Sequence, residues 1–212
     1  MKAIRTVAVA VILAATALTA SAQRSMGVIA GVEFSDLKIG GEKLVATSGV
    51  DLYHAGFTLR QNLGKGFSLQ PSILYQRKGF DFKNGEGEDA SARLGYLNVP
   101  IAVSWGPNLL AFRPFIEAVP FFGIGLDGKL TKGGDSLSDV WKSMSFNRFE
   151  VGAGLGGGIE IWIFQLSARY NWTFNKLQKP ETNNVGGWAE SLKDCVKDAQ
   201  FSGVTVSLAV LF

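Results

Sequence analysis

Apolar and polar residues alternate strictly over long segments of this chain. In residues 164–174 every second side chain is apolar or aromatic, and the residues between them are mostly polar. The last segment repeats the pattern, with Val204, Val206, Leu208, Val210 and Phe212 in one phase. A period of two places successive side chains on opposite faces of a strand. Both segments are therefore predicted to be β-strands.

Six further segments alternate less cleanly and bring the predicted strands to eight. They span residues 25–35, 50–61, 67–78, 93–105, 110–126 and 147–161. Most are as long as a tilted membrane-crossing strand, which takes about 9–11 residues. Proline cannot donate a hydrogen bond to a β-ladder. Bulges or strand ends are therefore expected at the prolines inside these segments, which are Pro71, Pro100, Pro114 and Pro120.

The predicted connections alternate between short and long. Short ones occupy residues 62–66, residues 106–109 and the region of Trp162, and long polar ones occupy residues 36–49, 79–92, 127–146 and 175–199. In an up-and-down barrel this order places the long loops at one end and both termini at the other. Outer-membrane barrels have this asymmetry, with short periplasmic turns and longer external loops.

The two faces of the strands separate a membrane barrel from a soluble one. The polar face consists mainly of Gly, Ser, Thr, Gln and Asn, whereas a soluble protein carries many Lys and Glu on its outer face. The apolar face has aromatic residues near the strand ends, as in the girdles of membrane barrels; they are Tyr53, Phe67, Tyr75, Trp105, Phe149, Phe164, Trp172, Phe174 and Phe212. The sequence predicts an all-β fold, an eight-stranded antiparallel up-and-down transmembrane barrel whose narrow lumen is filled by side chains.

The N-terminus has the layout of a secretory signal peptide. Lys2 and Arg5 precede a short apolar run, and Ala20-Ser21-Ala22 forms a small-x-small cleavage site. Residues 1–22 are predicted to be the leader and residues 23–212 the barrel domain. Without the leader, the chain has 19 of its 21 Lys and Arg residues and 18 acidic residues. This nearly neutral charge does not indicate nucleic-acid binding.

The glycine-rich segment at residues 152–158 fits the dinucleotide fingerprint G-x-G-x-x-G, but its surroundings do not. That fingerprint opens a helix and needs an acid about twenty residues later. Here a strand-like segment follows and no acid lies near position 177. No cofactor is predicted. Gly152, Gly154, Gly156 and Gly158 share the lumen-facing phase, and this glycine stripe is expected to make room for Gln165 and Arg169.

Five charged residues fall on lumen-facing phases and form the candidate site. They are Glu33, Arg60, Glu117, Glu150 and Arg169. Isolated charges away from water are costly, so a paired network is expected, in which Arg169 reaches Glu117 or Glu33 across the interior. The alternative is a wet lumen in which water solvates each charge separately.

No catalytic or metal site is predicted. His54 is the only histidine, and no second histidine or cysteine completes a metal site around it, so a hydrogen-bonded lumen role is expected. Ser167 and Ser207 also face inward, but no serine–histidine–acid set is evident in the sequence. The only cysteine, Cys195, cannot form an internal disulfide and is expected to be a small buried apolar residue.

Two long loops contain helical spacing. One set is Leu137, Val140, Trp141 and Met144, and the other is Trp188, Leu192, Cys195, Val196 and Ala199. Each is expected to form a short amphipathic turn packed on the barrel rim. The alternative is a partner-docking patch at the cell surface.

Several motifs, in a fixed order, resemble the PorT-type outer-membrane β-barrel family. They are GVIAGVEFSDL at 27–37, FSLQPSILYQRKGF at 67–80, LGYLNVPIAVSW at 94–105, RPFIEAVPFFGIGL at 113–126, FEVGAGLGGGIEI at 149–161, FQLSARYNWTF at 164–174 and the closing VSLAVLF. The resemblance implies an outer-membrane location and an assembly signal at Phe212 that the barrel-insertion machinery reads. The namesake of the family serves protein secretion to the cell surface.

The expected function is a structural or interaction role in the outer membrane of a diderm bacterium, with surface assembly or secretion as the specialisation. The termini are expected in the periplasm and the long loops outside. The expected partners are outer-membrane lipid, the insertion machinery and a surface or secretion partner bound by residues 127–146 and 175–199, with the barrel itself monomeric. The alternatives are a small-solute pore and, less favoured, a lipid- or peptide-modifying enzyme.

Overall fold

The computed structural model describes residues 24–39, 42–83, 89–109, 111–132, 135–138, 147–175 and 199–212. These ranges contain nine β-strands: β1 (Arg24–Ile39), β2 (Glu42–Gly64), β3 (Phe67–Lys83), β4 (Asp89–Trp105), β5 (Arg113–Lys132), β6 (Asp135–Ser138), β7 (Phe149–Ile161), β8 (Phe164–Thr173) and β9 (Ala199–Leu211). In this part of the chain, no helix is long and apolar enough to cross a membrane.

Eight of the strands form a closed antiparallel ring. Neighbours along the ring follow chain order from β1 to β5 and then β7, β8 and β9, and β9 pairs with β1 to close it. The short β6 lies outside the ring and pairs with the end of β5. The predicted eight-stranded antiparallel barrel is confirmed.

The barrel is polar inside and apolar outside. Among the described residues, 21 polar or charged ones are buried against 13 hydrophobic ones. The outer wall carries large apolar side chains such as Phe57 (73% exposed), Ile116 (65%) and Leu155 (57%). A water-soluble protein has the opposite distribution. In a membrane, lipid covers this outer wall. In water, the same wall would expose a large apolar area to solvent.

Several strands extend further toward the long-loop end than their alternation predicted. β1 continues to Ile39 and β2 begins at Glu42, so most of the predicted loop at residues 36–49 is a hairpin. β3 likewise continues to Lys83, and β4 begins at Asp89. Backbone pairing continues there although the apolar residues change phase, at Leu37 and Ile39 in β1 and at Phe80 and Phe82 in β3.

The two loops with helical spacing fall only partly within the described residues. Leu137 lies in β6, so its part of the first predicted turn is wrong. It pairs with Leu130 of β5, which makes this segment a strand. Val140, Trp141 and Met144 lie outside the described residues, as do Trp188, Leu192, Cys195 and Val196. Ala199 is the first residue of β9.

The expected bulges at three prolines are absent from the described strands. The register is the same on both sides of Pro71, Pro100 and Pro120, and only Pro114 lies beside a strand end. Each of the three has an interruption of two residue pairs in the ladder with one neighbouring strand. The missing proline N–H is thus accommodated by skipped pairs, without an inserted residue.

The connections at the other end are short. Lys65 and Gly66 form the β2–β3 turn, and Trp162 and Ile163 form the β7–β8 turn. The β4–β5 connection is longer than predicted and runs from 106 to 112, because β5 begins at Arg113 and not at position 110.

Candidate functional site

The candidate site is the lumen, where the charged side chains collect in several groups. At the short-turn end, Glu160 of β7 forms ion pairs with two arginines. Arg60 Nη1 donates to Glu160 Oε1, and Arg113 Nη1 lies 3.3 Å from each carboxylate oxygen. Arg113 Nη2 also donates to Gly66 O at 2.7 Å and to Ser68 Oγ at 3.4 Å. This group occupies the lumen at its short-turn end.

Arg169 of β8 and Glu117 of β5 form an ion pair on the barrel wall. Arg169 Nε lies 3.2 Å from Glu117 Oε1, and the two side chains are 10% and 2% exposed. Gly156 of β7 pairs with both residues, so the contact passes over this glycine. The sequence predicted that Arg169 reaches Glu117 or Glu33 across the interior. The partner in the structure is Glu117, and the contact runs along the wall.

Glu33 of β1 lies instead in a network of neutral side chains. Gln76 Nε2 donates to Glu33 Oε1 at 2.6 Å, and Thr205 Oγ1 donates to Oε2 at 3.1 Å. Asn98 Nδ2 donates in turn to Gln76 Oε1, and Asn171 Nδ2 donates to Thr205 Oγ1 at 2.6 Å. The network ties five strands together around one carboxylate, which is 3% exposed.

The same carboxylate ends a serine–histidine–acid series that sequence reasoning missed. His54 Nε2 lies 3.0 Å from Ser207 Oγ, and His54 Nδ1 lies 3.4 Å from Glu33 Oε1. No such set was evident in the sequence, but the structure brings the three side chains together, with His54 Nδ1 near the carboxylate of Glu33 and without a hydrogen bond to it. The signal was present in the phases, since all three residues face inward. Their meeting depends on the register, in which Gly31 pairs with both His54 and Ser207.

This series has the atoms of a nucleophile and its base but no room for a substrate. Ser207 is 2% exposed and His54 is 1% exposed. The central cavity beside them has a volume of about 30 Å³, which is room for about one or two waters. An acyl group would not fit beside Ser207. The hydrogen bond between Ser207 and His54 is therefore part of the packing of the lumen.

Glu150 lies toward the long-loop end, one residue inside the start of β7. Lys78 Nζ donates to Glu150 Oε1 at 2.5 Å, and Thr173 Oγ1 donates to the same oxygen at 2.7 Å. The lysine also lies 5.3 Å from the ring centroid of Phe121 and 5.8 Å from that of Tyr96. A carboxylate and two aromatic faces thus surround one buried ammonium, and the Thr173 hydroxyl donates to that carboxylate.

The glycine stripe of β7 makes room for more than the two side chains that the sequence suggested. A Cβ on Gly156 would lie 2.7 Å from Arg169 Cβ, and one on Gly158 would lie 2.6 Å from Phe115 Cζ. Cβ atoms on Gly152 and Gly154 would collide with Phe121 and Asn171. The prediction for Arg169 is met. Gln165 lies elsewhere, accepting a hydrogen bond from Gln70 Nε2 at 2.9 Å.

Three charged residues of these groups were absent from the predicted site. They are Lys78, Arg113 and Glu160, which are buried in the lumen. Lys78 shares the phase of Gln76, Arg113 that of Glu117, and Glu160 that of Glu150. Extending the same alternation to the ends of each predicted strand would have included all three.

Phe212, the predicted assembly signal, follows β9 and is 73% exposed on the outer wall. It exchanges two backbone hydrogen bonds with Met26 of β1, at 2.8 and 2.7 Å. The residue therefore lies at the seam between the first and last strands, at the short-turn end. Among the described residues, no group of three or more His, Cys, Asp and Glu is placed to hold a metal ion.

Several solved outer-membrane barrels have similar folds. They include Ail, the attachment invasion locus protein of Yersinia pestis (15% identity, 90% of this chain and 99% of that chain, TM-score 0.44), and Neisserial surface protein A (11%, 90% and 99%, 0.47). OprG from Pseudomonas aeruginosa is a third (12%, 89% and 94%, 0.42). At these identities the likeness concerns the fold alone.

No curated protein matches the chain. Residues 20–179 match the family described as "Outer membrane protein beta-barrel domain". This range includes β1 to β8 of the described structure. The protein therefore belongs to the outer membrane protein β-barrel domain family.

Proposed function

We propose that the protein is a non-conducting outer-membrane barrel with a structural or interaction role. The observation that carries this proposal is the filling of the lumen. Ion pairs involving Glu160, Glu117 and Glu150 occupy it from the short-turn mouth toward the long-loop end. The central cavity of about 30 Å³ offers no continuous path for a hydrated solute.

The interaction role is assigned to the long loops, since the filled lumen has no room for a partner. Residues 127–146 and 175–199 are the segments that we propose contact a surface or secretion partner. This assignment requires the termini to lie in the periplasm and the long loops outside. The order of motifs supports membership of the PorT-type branch, and a role in surface assembly or secretion is the specialisation it suggests.

A planar-bilayer recording tests the closed lumen. Refolded protein inserted into the bilayer is expected to give no discrete conductance steps, while a general porin in the same membrane supplies the positive control. Reproducible steps from the purified barrel would favour the alternative, a small-solute pore. The interaction role is tested separately by crosslinking residues introduced in 127–146 and 175–199 in intact cells. Crosslinked products confined to lipid would remove it.

A further inference from the structure

The mouth of the barrel at the short-turn end is an open cavity of about 510 Å³. Arg60, Arg113 and Glu160 lie at its inner side, and Lys65 lies on the β2–β3 turn that borders it. These four residues are called the basic mouth below. Small-molecule sites occupy about 300–1,000 Å³, so the cavity has the size of such a site.

The basic mouth holds three positive charges and one negative charge. Arg60 and Arg113 share the single carboxylate of Glu160, which can balance only one of them. The two arginine side chains are only 12% and 8% exposed, so water solvates the remaining positive charge incompletely. Lys65 adds a second unbalanced charge at the rim. A buried charge needs a partner, and an anion from solution would supply it.

One donor of Arg60, the Nε, also lacks a hydrogen-bond acceptor. This nitrogen is buried and has no partner among the described residues. Arg113, by contrast, uses Nη1 on Glu160 and Nη2 on Gly66 O and Ser68 Oγ. An unsatisfied buried donor is costly. The shortage at this mouth is thus of acceptor atoms as well as of negative charge.

The turn that carries Lys65 has an unusual backbone. Lys65 has φ of 52°, between Gly64 at 84° and Gly66 at 82°. Two-residue turns with positive φ at both positions favour Asn or Gly at the first one, since a larger side chain is disfavoured there. The chain has a lysine at this position, exposed on the rim of the cavity.

Apolar side chains line the outer part of the same cavity. Phe67, Phe112 and Trp162 are 47%, 41% and 91% exposed and all border it. Buried arginines and exposed aromatic rings on the same cavity match a ligand with an acidic head and an apolar body. We propose that the basic mouth binds a small organic anion through a phosphate or carboxylate group between Arg60, Lys65 and Arg113. Charge-assisted hydrogen bonds to guanidinium groups would hold that head.

Calorimetric titration of the full chain, refolded in detergent micelles, tests this site. The probes are phenyl phosphate, benzoate and inorganic phosphate, with the ionic strength held constant by sodium chloride. Phenyl phosphate is expected to bind more tightly than inorganic phosphate, because its ring contacts Phe112 and Trp162. The stronger of phenyl phosphate and benzoate identifies the preferred head group.

Two variants separate a built site from general charge attraction. Lys65→Gln is expected to weaken phenyl phosphate binding by about threefold to fivefold, the range of a partly exposed ion pair. Lys129→Gln, which changes an exposed lysine near the other end of β5, is expected to leave it unchanged. Glu160→Gln is expected to strengthen binding, since it frees both arginines, whereas a purely structural Glu160 would give no gain.

Three results would overturn the proposal. They are the absence of saturable binding by the parent protein, equal losses in the two lysine variants, and unchanged or weaker binding in a folded Glu160→Gln barrel. If Glu160→Gln does not refold, the comparison of the lysine variants decides alone. Anion binding at this mouth is independent of conductance, so its failure would leave the proposed function standing.

Discussion

Arg169 and Glu117 meet over Gly156, with Arg169 Nε 3.2 Å from Glu117 Oε1. Gly156 is the cross-strand partner of both residues, one on each side of β7. Without a side chain at this position, two residues from strands that are not neighbours can touch along the wall. The ion pair and the glycine are therefore one structural unit.

Arg169→Ala is expected to destabilise the barrel by about 3–5 kcal/mol, because it leaves the carboxylate of Glu117 buried without its cation. Glu117→Ala should cost a similar amount by stranding the guanidinium. Replacing both residues should recover part of the loss, since partners in contact are not additive. Urea unfolding of the refolded barrel in detergent measures all three variants.

Arg24→Ala is the control for this series, because Arg24 is exposed at the start of β1. It should change the unfolding free energy by no more than about 0.5 kcal/mol, as surface substitutions usually do. If both single lumen variants fall within that same range, the lumen is wet and each charge is solvated separately.

The glycine stripe makes a second prediction. In Gly158→Ala the new methyl group would lie 2.6 Å from Phe115 Cζ and would also collide with the backbone carbonyl of Leu166. Overpacking of this kind costs about 1–3 kcal/mol. Gly123→Ala is the matched control, because the nearest atoms to its Cβ lie 3.6 Å away. Samples of both variants are warmed to a series of temperatures and run on gels without boiling, so that the change in migration gives the midpoint of thermal unfolding. Equal midpoints for the two variants would contradict the packing role.

The alternation predicted which residues face the lumen because the side-chain period of a strand is two. Glu33, Arg60, Glu117, Glu150 and Arg169 were all chosen from phase alone, and the structure places each of them inside. Phase carries no information on height, which is set by the pairing register. Partners such as Glu160 for Arg60 could therefore not be read from the sequence.

The strand ends were the least predictable part of the fold. At the long-loop end, Lys38 and Lys43 pair across β1 and β2 although the apolar residues of β1 have changed phase there. Backbone hydrogen bonds hold this hairpin, and they leave no trace in the order of side chains. The Ser207–His54–Glu33 series could not be predicted for a related reason, since it depends on the pairing of the last strand, β9, with the first, β1.

Ser207 is expected to be unreactive in the folded barrel. Although His54 Nε2 lies 3.0 Å away, the hydroxyl is 2% exposed beside a cavity too small for an acyl group. A fluorophosphonate probe should not label the refolded protein under conditions that label a serine hydrolase added to the same micelles. Labelling that disappears in Ser207→Ala would establish a reactive serine and reopen the enzyme alternative.

Phe212→Ala is expected to reduce insertion into the outer membrane while export to the periplasm continues. The reason is the position of Phe212 at the seam between β9 and β1, where the insertion machinery is proposed to read it. Phe57→Ala is the matched control, because Phe57 is the same residue type, is also 73% exposed and lies on the outer wall. Fractionation of cells expressing each variant measures the inserted share. Equal losses would mean that the outer wall as a whole, and not Phe212, determines insertion.

The last prediction concerns which end of the barrel faces the outside. Lys65 lies on the short β2–β3 turn. Lys129 lies in β5 near the long-loop end of the barrel, and both side chains are exposed. In a protein whose Cys195 is replaced by serine, each lysine is changed to cysteine in turn. A membrane-impermeant maleimide added to intact cells should label the cysteine at 129 and spare the one at 65, and both should react once the outer membrane is opened.

Since antiparallel strands of one closed barrel fix these two positions at opposite ends, the two results must be opposite if the protein has a single orientation. Labelling at 65 and protection at 129 in intact cells would place the short turns outside, reverse the topology and move the proposed partner contacts of residues 127–146 and 175–199 to the periplasm.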